Sequence, residues 1–397
     1  MARLLFSIIL LALAGATEAR ERVTERQFLS ALRADHPGLV ALGDRAGTAR
    51  AERARAGLLP NPIASYEREA PGNVEQVTWQ LAWTPPLDGR RGAAVRAADA
   101  GVRAANAQLK FDQLVLRSGL RQAFAEWALT TERTRVVESH LELIRRLAGQ
   151  MDARASRGEE SRLAARRLAL AALEVEAEAA RSAAAASRST EMALVWNSTI
   201  PTAAEPERPP LPAVNDSIQT TTRPDLAARR YEVEQAEAQL RFGKRFLQFP
   251  EVAFGWQRVR DDTFSDEGPR VAVNWPLPLF ERQQPERIDA NARLIAARAR
   301  LQLAATRATA ELTSTRAGYS GLRQAALAGI ATAGEGDRAL ESATETFRLG
   351  ESRLTDLLET LRSVLAARLA ALDLYAAALE AHRALELAVG HPLSQED

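Results

Sequence analysis

The sequence predicts an α+β membrane protein in which long antiparallel helical hairpins accompany four β-strands per chain, the strands contributing to a shared β-barrel. Three observations predict it. Two aromatic-proline stretches, Trp83-Thr84-Pro85-Pro86-Leu87 and Trp275-Pro276-Leu277-Pro278-Leu279, occupy matching places in two half-chains of like plan. Short segments of alternating apolar and polar residues precede both stretches, and helical runs too long for a compact domain follow them. Hydrophobic residues make up 46% of the chain but aromatics only 5%, so the cores must be built of Ala, Leu and Val, which suit closely packed helices.

The duplication extends beyond these stretches. His36-Pro37-Gly38-Leu39 pairs with Arg223-Pro224-Asp225-Leu226, Pro62 with Pro250, and Arg157-Gly158-Glu159 with Leu349-Gly350-Glu351. A repeat of about 190 residues exceeds any solenoid unit and indicates a duplicated domain half. The expected organisation is a signal peptide over 1–19, a first repeat over 20–200, a proline-rich linker over 201–224 and a second repeat over 225–397.

Met1-Ala2-Arg3, the apolar run Leu4 to Ala14 and the small residues after it have the layout of a secretory signal peptide, cleaved after Ala14-Gly15-Ala16 or Thr17-Glu18-Ala19. The apolar run is too short for a permanent membrane-spanning helix. The chain has no cysteine, which removes disulfides, thiolate metal sites, cysteine nucleophiles and a lipid on an N-terminal cysteine. With 52 basic against 51 acidic residues there is no overall field to attract nucleic acid, so a nucleic-acid partner is not expected.

From Thr24 to about Leu58 apolar residues recur at helical spacing, Phe28, Leu32, Leu39 and Leu42 among them, with an interruption near Pro37. Gly57-Leu58-Leu59-Pro60-Asn61-Pro62 ends this helix and begins extended chain. Val77, Trp79, Leu81 and Trp83 then alternate with Thr78, Gln80, Ala82 and Thr84, and Pro71-Gly72-Asn73 joins this strand to a partner over about Ile63 to Glu69. A helix follows from about Arg90 to Ala148, with Leu109, Leu116, Leu120, Phe124 and Trp127 along one side. A break near Gly149 to Ser161 reverses the chain into a second long helix ending near Trp196.

After the linker the plan repeats. A helix is expected from about Asp225 to Leu247, a strand from Glu251 to Arg260, an acidic exposed loop over Asp261 to Gly268, and a return strand from Arg270 to Trp275. From about Pro285 a long helix reaches the region of Gly350, reverses, and a second ends near Gly390.

Strands with Trp and Val on one side and Gln, Thr and Asn on the other fit an outer-membrane barrel with an apolar band outside and a polar lumen. An ordinary half-buried antiparallel sheet gives the same alternation. The flanking helices weigh against it, because strands so short beside helices so long make no sensible soluble core. Four strands do not close a barrel, since the smallest have about eight, and open edges are not tolerated in lipid. Several copies must therefore share one barrel, closed by cyclic symmetry. Trp83 and Trp275 then lie at one membrane interface, and Trp79 and Trp256 in the lipid-facing band or its rim.

These features resemble the TolC-like outer-membrane efflux protein family, and within it the branch associated with heavy-metal efflux. The stretches that carry the resemblance are His36-Pro37, Gly57-Leu58-Leu59-Pro60-Asn61-Pro62, Pro86-Leu87-Asp88-Gly89-Arg90-Arg91, Trp275 to Arg282, and Phe347-Arg348-Leu349-Gly350-Glu351-Ser352 with Asp356-Leu357-Leu358. Their order and spacing span the whole mature chain. The resemblance implies a homotrimer with a twelve-stranded barrel in outer-membrane lipid, continued by a helical tunnel through the periplasm. It implies a passive channel that works with a periplasmic adaptor protein and an inner-membrane pump of the RND type. Type I protein secretion and drug efflux use the same architecture, and a periplasmic coiled-coil scaffold with small β-tips is the competing class.

The resemblance also assigns sites. Asp356 and Glu359 match the acidic pair that lines the tunnel entrance, and three apart on one helix they share a face. Threefold symmetry would bring six carboxylates to the axis, a ring that attracts cations. Arg157, Gly158 and Glu159 in the first tip, and Gly350, Glu351 and Ser352 in the second, would meet the adaptor. Leu163-Ala164-Ala165-Arg166 lacks the acid that Asp356 supplies in the second tip. His36, His140, His382 and His391 are scattered, with no ligand spacing, so neither a metal site nor a cofactor is expected. No phosphate loop, nucleophile elbow or metalloprotease pair is present, and an enzyme is not expected.

Overall fold

The computed structural model describes residues 21–33, 35–201, 203–213, 223–243, 249–277 and 279–393. The expected signal peptide lies outside the described residues, as do Pro278, much of the linker and the last residues of the helix expected to reach Leu247. The chain divides into two compact units, each drawing on both halves of the sequence.

One unit comprises Pro37–Gln113 and Gln219–Ala310. It holds the helices α2 (Pro37–Leu42) and α3 (Asp44–Gly57), and the strands β2 (Ile63–Glu69) and β3 (Glu75–Trp83). It also holds α6 (Pro224–Gly243), β5 (Glu251–Arg260) and β6 (Ser265–Asn274). The first parts of α4 (Arg90–Ser156) and α7 (Gln284–Arg348) belong to it as well. The strands form one antiparallel sheet in the order β2-β3-β5-β6. Each hairpin is closed by a tight turn, with Gly72 at φ 66° in the first, where only a residue without Cβ is unstrained. The hairpins join along β3 and β5, where Gln80 faces Gly255. A Cβ on Gly255 would stand 2.1 Å from the Trp79 carbonyl oxygen, so the seam closes only around glycine. Ala236, Leu294 and Ala297 form a small core under α6 and α7, and Arg103 of α4 pairs with Glu234 and lies over Tyr231 of α6.

The second unit comprises Met1–His36, Leu114–Ile218 and Glu311–Asp397. It contains β1 (Arg22–Val23), α1 (Glu25–Leu29), α5 (Arg162–Trp196), β4 (Glu205–Pro206) and α8 (Leu354–Val389), with the later parts of α4 and α7. Thr24 caps α1 through a reciprocal box with Gln27, and α1 buries Phe28 completely against Phe124 and Trp127. Burial of that ring contributes about 1.5–3 kcal/mol. The linker after α5 is strapped to the helices by its carbonyls: Tyr375 donates to Pro209 and Tyr319 to Pro212, each at 2.6 Å. Prolines suit such a strap, because a segment without N–H donors presents only acceptors.

Two boundaries are refined and one ladder is added. The reversal falls within the expected stretch Gly149 to Ser161 but takes only its last part: the first long helix runs past Ala148 to Ser156, since one interior glycine costs only about 1 kcal/mol and Leu147 and Met151 are buried on either side of it. The return strand begins at Ser265 rather than Arg270, so the loop is only Asp261–Phe264, closed by the Asp261 N–H donating to the Phe264 carbonyl. The ladder runs through the polar segment because every donor of the ten-residue β5 seeks a partner, and Arg258 pairs across it with Glu267 at 2.9 Å. Finally, β1 and β4 form a short parallel ladder that the sequence reading lacked.

Candidate functional site

The sheet has one face for each environment. In the register, Tyr66 lies beside Trp79 and Trp79 beside Trp256; Ala64, Leu81, Phe254 and Val271 form the next row, and Trp83, Val252 and Val273 the one after. Paired residues share a face, so these rows make one apolar surface. It stands open: Trp79 is 60% exposed, Phe254 62% and Val271 66%. From Val77 to Trp83 it runs about 20 Å along the strand, at 3.4 Å per residue. Trp83 and Trp275 mark one end, and Arg68, Arg258 and Glu267 the other. Trp83 donates its indole N–H to the Pro60 carbonyl at 3.0 Å, and the rings of Tyr66 and Trp79 are 4.5 Å apart. The opposite face carries Ser65, Gln76, Thr78, Gln80, Gln257 and Arg270, with Ala82, Ala253 and Ala272 between them and Ile63 and Val259 as its larger apolar residues. Strands β2 and β6 end the sheet with their outer edges unpaired among the described residues.

The helix tips repeat one device. Gly158 and Gly350 have φ 76° and 78°, and each closes a left-handed cap. Glu159 N–H bonds the Arg154 carbonyl and Gly158 N–H that of Ala155; Glu351 and Gly350 do the same to Thr346 and Phe347. The caps bring Arg157, Gly158 and Glu159 together in one tip, and Gly350, Glu351 and Ser352 in the other. Arg157 grips Glu159 through two hydrogen bonds, which hold the carboxyl below its usual range and the guanidinium above its own. Thr346 donates its hydroxyl to Ser352 at 3.3 Å.

Asp356 and Glu359 lie in the first two turns of α8, both exposed. Asp356 accepts the backbone N–H of Arg353 and the Thr355 hydroxyl, the work of a carboxylate at a helix N-terminus. Ala164 takes the corresponding place in α5, whose start Ser161 caps instead. Glu359 has no hydrogen bond or ion pair among the described residues, so its charge is free to face solvent.

Sequence reasoning missed a buried ion network between distant segments. Arg121 of α4 donates to Glu25 of α1 and Glu386 of α8 at 2.6 Å each. Desolvation opposes the guanidinium charge, but the bonds and charges of both carboxylates outweigh it and raise its pKa. Nothing in the spacing of residues 25, 121 and 386 could have revealed it.

Two histidines, His140 and His382, are core residues. His140 is 2% exposed, and its pKa falls to about 4 because burial, aided by Arg368, disfavours the charge while the Leu361 backbone acts weakly the other way. Folding therefore favours the neutral ring, and the unfolded chain binds the extra proton between about pH 6.5 and 4. Stability from this group is complete above pH 6.5 and is lost as the pH falls toward 4, by roughly 3 kcal/mol at most. Thermal unfolding of wild type is expected to weaken across that window, and His140→Gln to flatten the profile; parallel profiles would contradict the assignment.

Among the described residues no three histidine or acidic side chains are grouped to hold a metal ion, and no helix is long and apolar enough to cross a membrane. No family model matches the chain. A curated relative, the cobalt-zinc-cadmium resistance protein CzcC of Cupriavidus metallidurans, is 23% identical over 333 residues, 79% of this chain and 77% of the relative. Among solved structures, the outer membrane protein VceC of Vibrio cholerae superposes with TM-score 0.74 at 18% identity, covering 93% of this chain and 97% of VceC. The MtrE outer membrane channel of Neisseria gonorrhoeae, in its open state, gives TM-score 0.74 at 19% identity over 94% and 90% of the two chains.

Proposed function

We propose that this chain, which has the fold of the TolC-like outer-membrane efflux channels, is the passive exit duct of a tripartite efflux system. The observation that carries the reading is the four-stranded sheet, apolar and exposed on one face, more polar on the other, and unpaired at both edges among the described residues. In water such a surface and such edges invite aggregation. In a bilayer the same surface is satisfied, provided neighbouring copies cover the edges. Three copies, each giving two hairpins, make a closed barrel of twelve strands, with Trp79 and Trp256 in the lipid-facing band and Trp83 and Trp275 at one interface.

The duplicated plan over 20–200 and 225–397 gives each copy two barrel hairpins and two long helix pairs. The capped tips at Arg157-Gly158-Glu159 and Gly350-Glu351-Ser352 present fixed, exposed turns to a periplasmic adaptor, which links the duct to an inner-membrane pump. Solute leaves by diffusion, and the energy is spent at the pump. The likeness to CzcC supports divalent heavy-metal cations as the solute.

Asp356 and Glu359 are the selectivity and gate residues in this reading. Six carboxylates around a threefold axis lower the energy of a cation in a narrow pore and raise that of an anion. Asp356→Asn/Glu359→Gln is expected to change single-channel conductance and reduce cation over anion permeability several-fold in planar bilayers. Unchanged conductance and reversal potential would remove the gate assignment. Asparagine at 356 keeps an acceptor for the Arg353 N–H, so the helix start survives the test.

A further inference from the structure

A cavity of about 240 Å³ lies between α4, α5 and α8 inside the second unit. Ile144, Val175, Leu361, Leu365 and Leu369 make its apolar walls, and His140 supplies a polar one. His140 is almost fully buried; the Leu361 backbone lies close to the ring, but neither ring nitrogen makes a well-formed hydrogen bond among the described residues. Each unmet polar atom at such depth is costly, so this ring calls for a partner from within the cavity.

The surroundings define that partner. Glu174 at the rim is engaged by Arg362 at 3.0 Å, and Glu178 by Arg133 and Arg181, so the carboxylates are already neutralised. No group of three ligands is present there to hold a metal. A charged guest would find no free counter-charge among these groups and would lose part of its hydration on the apolar walls. A neutral imidazole offers one donor and one acceptor, and a hydroxyl, which both gives and takes, complements either nitrogen. A cavity of about 150 Å³ accepts benzene, so this one accommodates a single substituted ring.

We propose that the cavity is a binding site for small neutral phenols, with the hydroxyl hydrogen-bonded to His140 and the ring packed on Leu361 and Leu365. The site lies within one copy of the chain and is independent of the channel reading.

The test uses the full-length detergent-solubilised protein with its four histidines labelled at Cε1. p-Cresol is titrated while the histidine resonances are followed, with toluene as the same ring lacking the hydroxyl. p-Cresol is expected to move the one resonance that His140→Phe removes, and to bind about tenfold tighter than toluene, the worth of one hydrogen bond. Leu365→Trp keeps His140 but fills the cavity, and is expected to abolish the shift even if His140→Phe fails to fold. A resonance that stays fixed up to the solubility limit of p-cresol would overturn the proposal and leave the cavity to water. Equal binding of toluene would overturn it too, reducing the site to an apolar void.

Discussion

Gly255→Val is expected to abolish assembly of the proposed barrel. The two hairpins of each chain meet along β3 and β5, and at that seam a Cβ on residue 255 would lie 2.1 Å from the Trp79 carbonyl oxygen and 2.9 Å from the Gln80 Cβ. The first contact is with backbone, which has no rotamer to escape into. Overpacking of this kind costs about 1–3 kcal/mol even for small additions, and valine adds two methyl groups to the clash. In a trimer the same seam occurs in every copy, so the cost is incurred three times. Wild type is expected to run as an SDS-resistant trimer before heating, and Gly255→Val as monomer or aggregate. Gly268→Ala is the control, because the space around that glycine is open and the trimer is expected to persist. A resistant Gly255→Val trimer would show that the two hairpins are not joined in this register.

The buried network at Arg121 gives the second large effect. Arg121→Met leaves Glu386, its side chain 3% exposed, without its hydrogen-bonded cation and with only the longer-range charge of Arg383, and removes the tie from α4 to α1 through Glu25. Removing one partner of a buried pair costs about 3–5 kcal/mol, far more than the same change at an exposed pair such as Arg362 with Glu174. Glu386 also accepts the Leu393 N–H, so the segment after α8 loosens with it. Arg121→Met is expected to lower the thermal midpoint by several degrees and to open residues 21–33 to proteolysis. Adding Glu25→Gln and Glu386→Gln removes the stranded charges and is expected to recover part of the loss. A single variant as stable as wild type would mean that the network is solvated.

The legible parts of this fold are those written in local pattern. The alternation of Val77, Trp79, Leu81 and Trp83 located β3, and Glu251 and Arg260 bounded β5, because a sheet with one apolar face shows a period of two. The start of β6 was hidden by Ser265-Asp266-Glu267-Gly268-Pro269, whose composition reads as loop. Pro269 lies opposite Trp256 in β6, the last strand of the sheet within the chain, which is where proline is tolerated in a sheet. The reversal was legible as a stretch, Gly149 to Ser161, but not to the residue, because a glycine stops a helix only where packing does not carry it through. The two-residue ladder of β1 and β4 is too short to have any period.

The candidate site shows the same division. Gly158 and Gly350 were readable as turn points, and the structure adds that both make the same two-bond cap. The shared face of Asp356 and Glu359 followed from their spacing, whereas the capping contact that occupies Asp356 depends on the turn before it. The pairing of residues 25, 121 and 386 is purely tertiary and left no mark in the sequence. The buried, unpartnered state of His140 is likewise a property of three packed helices rather than of its neighbours in the chain.

The closed barrel is tested most directly at its open edges. The chain has no cysteine, so any disulfide is one that is introduced. Ser65 of β2 and Arg270 of β6 lie in one row of the sheet with Gln80 and Gly255 between them, so at about 4.8 Å per strand they are about 14 Å apart within a copy. That is twice the reach of a disulfide, so a bond between these edges joins two copies. With Ser65→Cys combined in turn with Gly268→Cys, Arg270→Cys and Ala272→Cys, oxidation in outer-membrane fractions is expected to produce a covalent trimer as the largest species at the matching register. Monomer at every pairing, or a ladder that continues past three copies, would contradict a barrel shared by three chains.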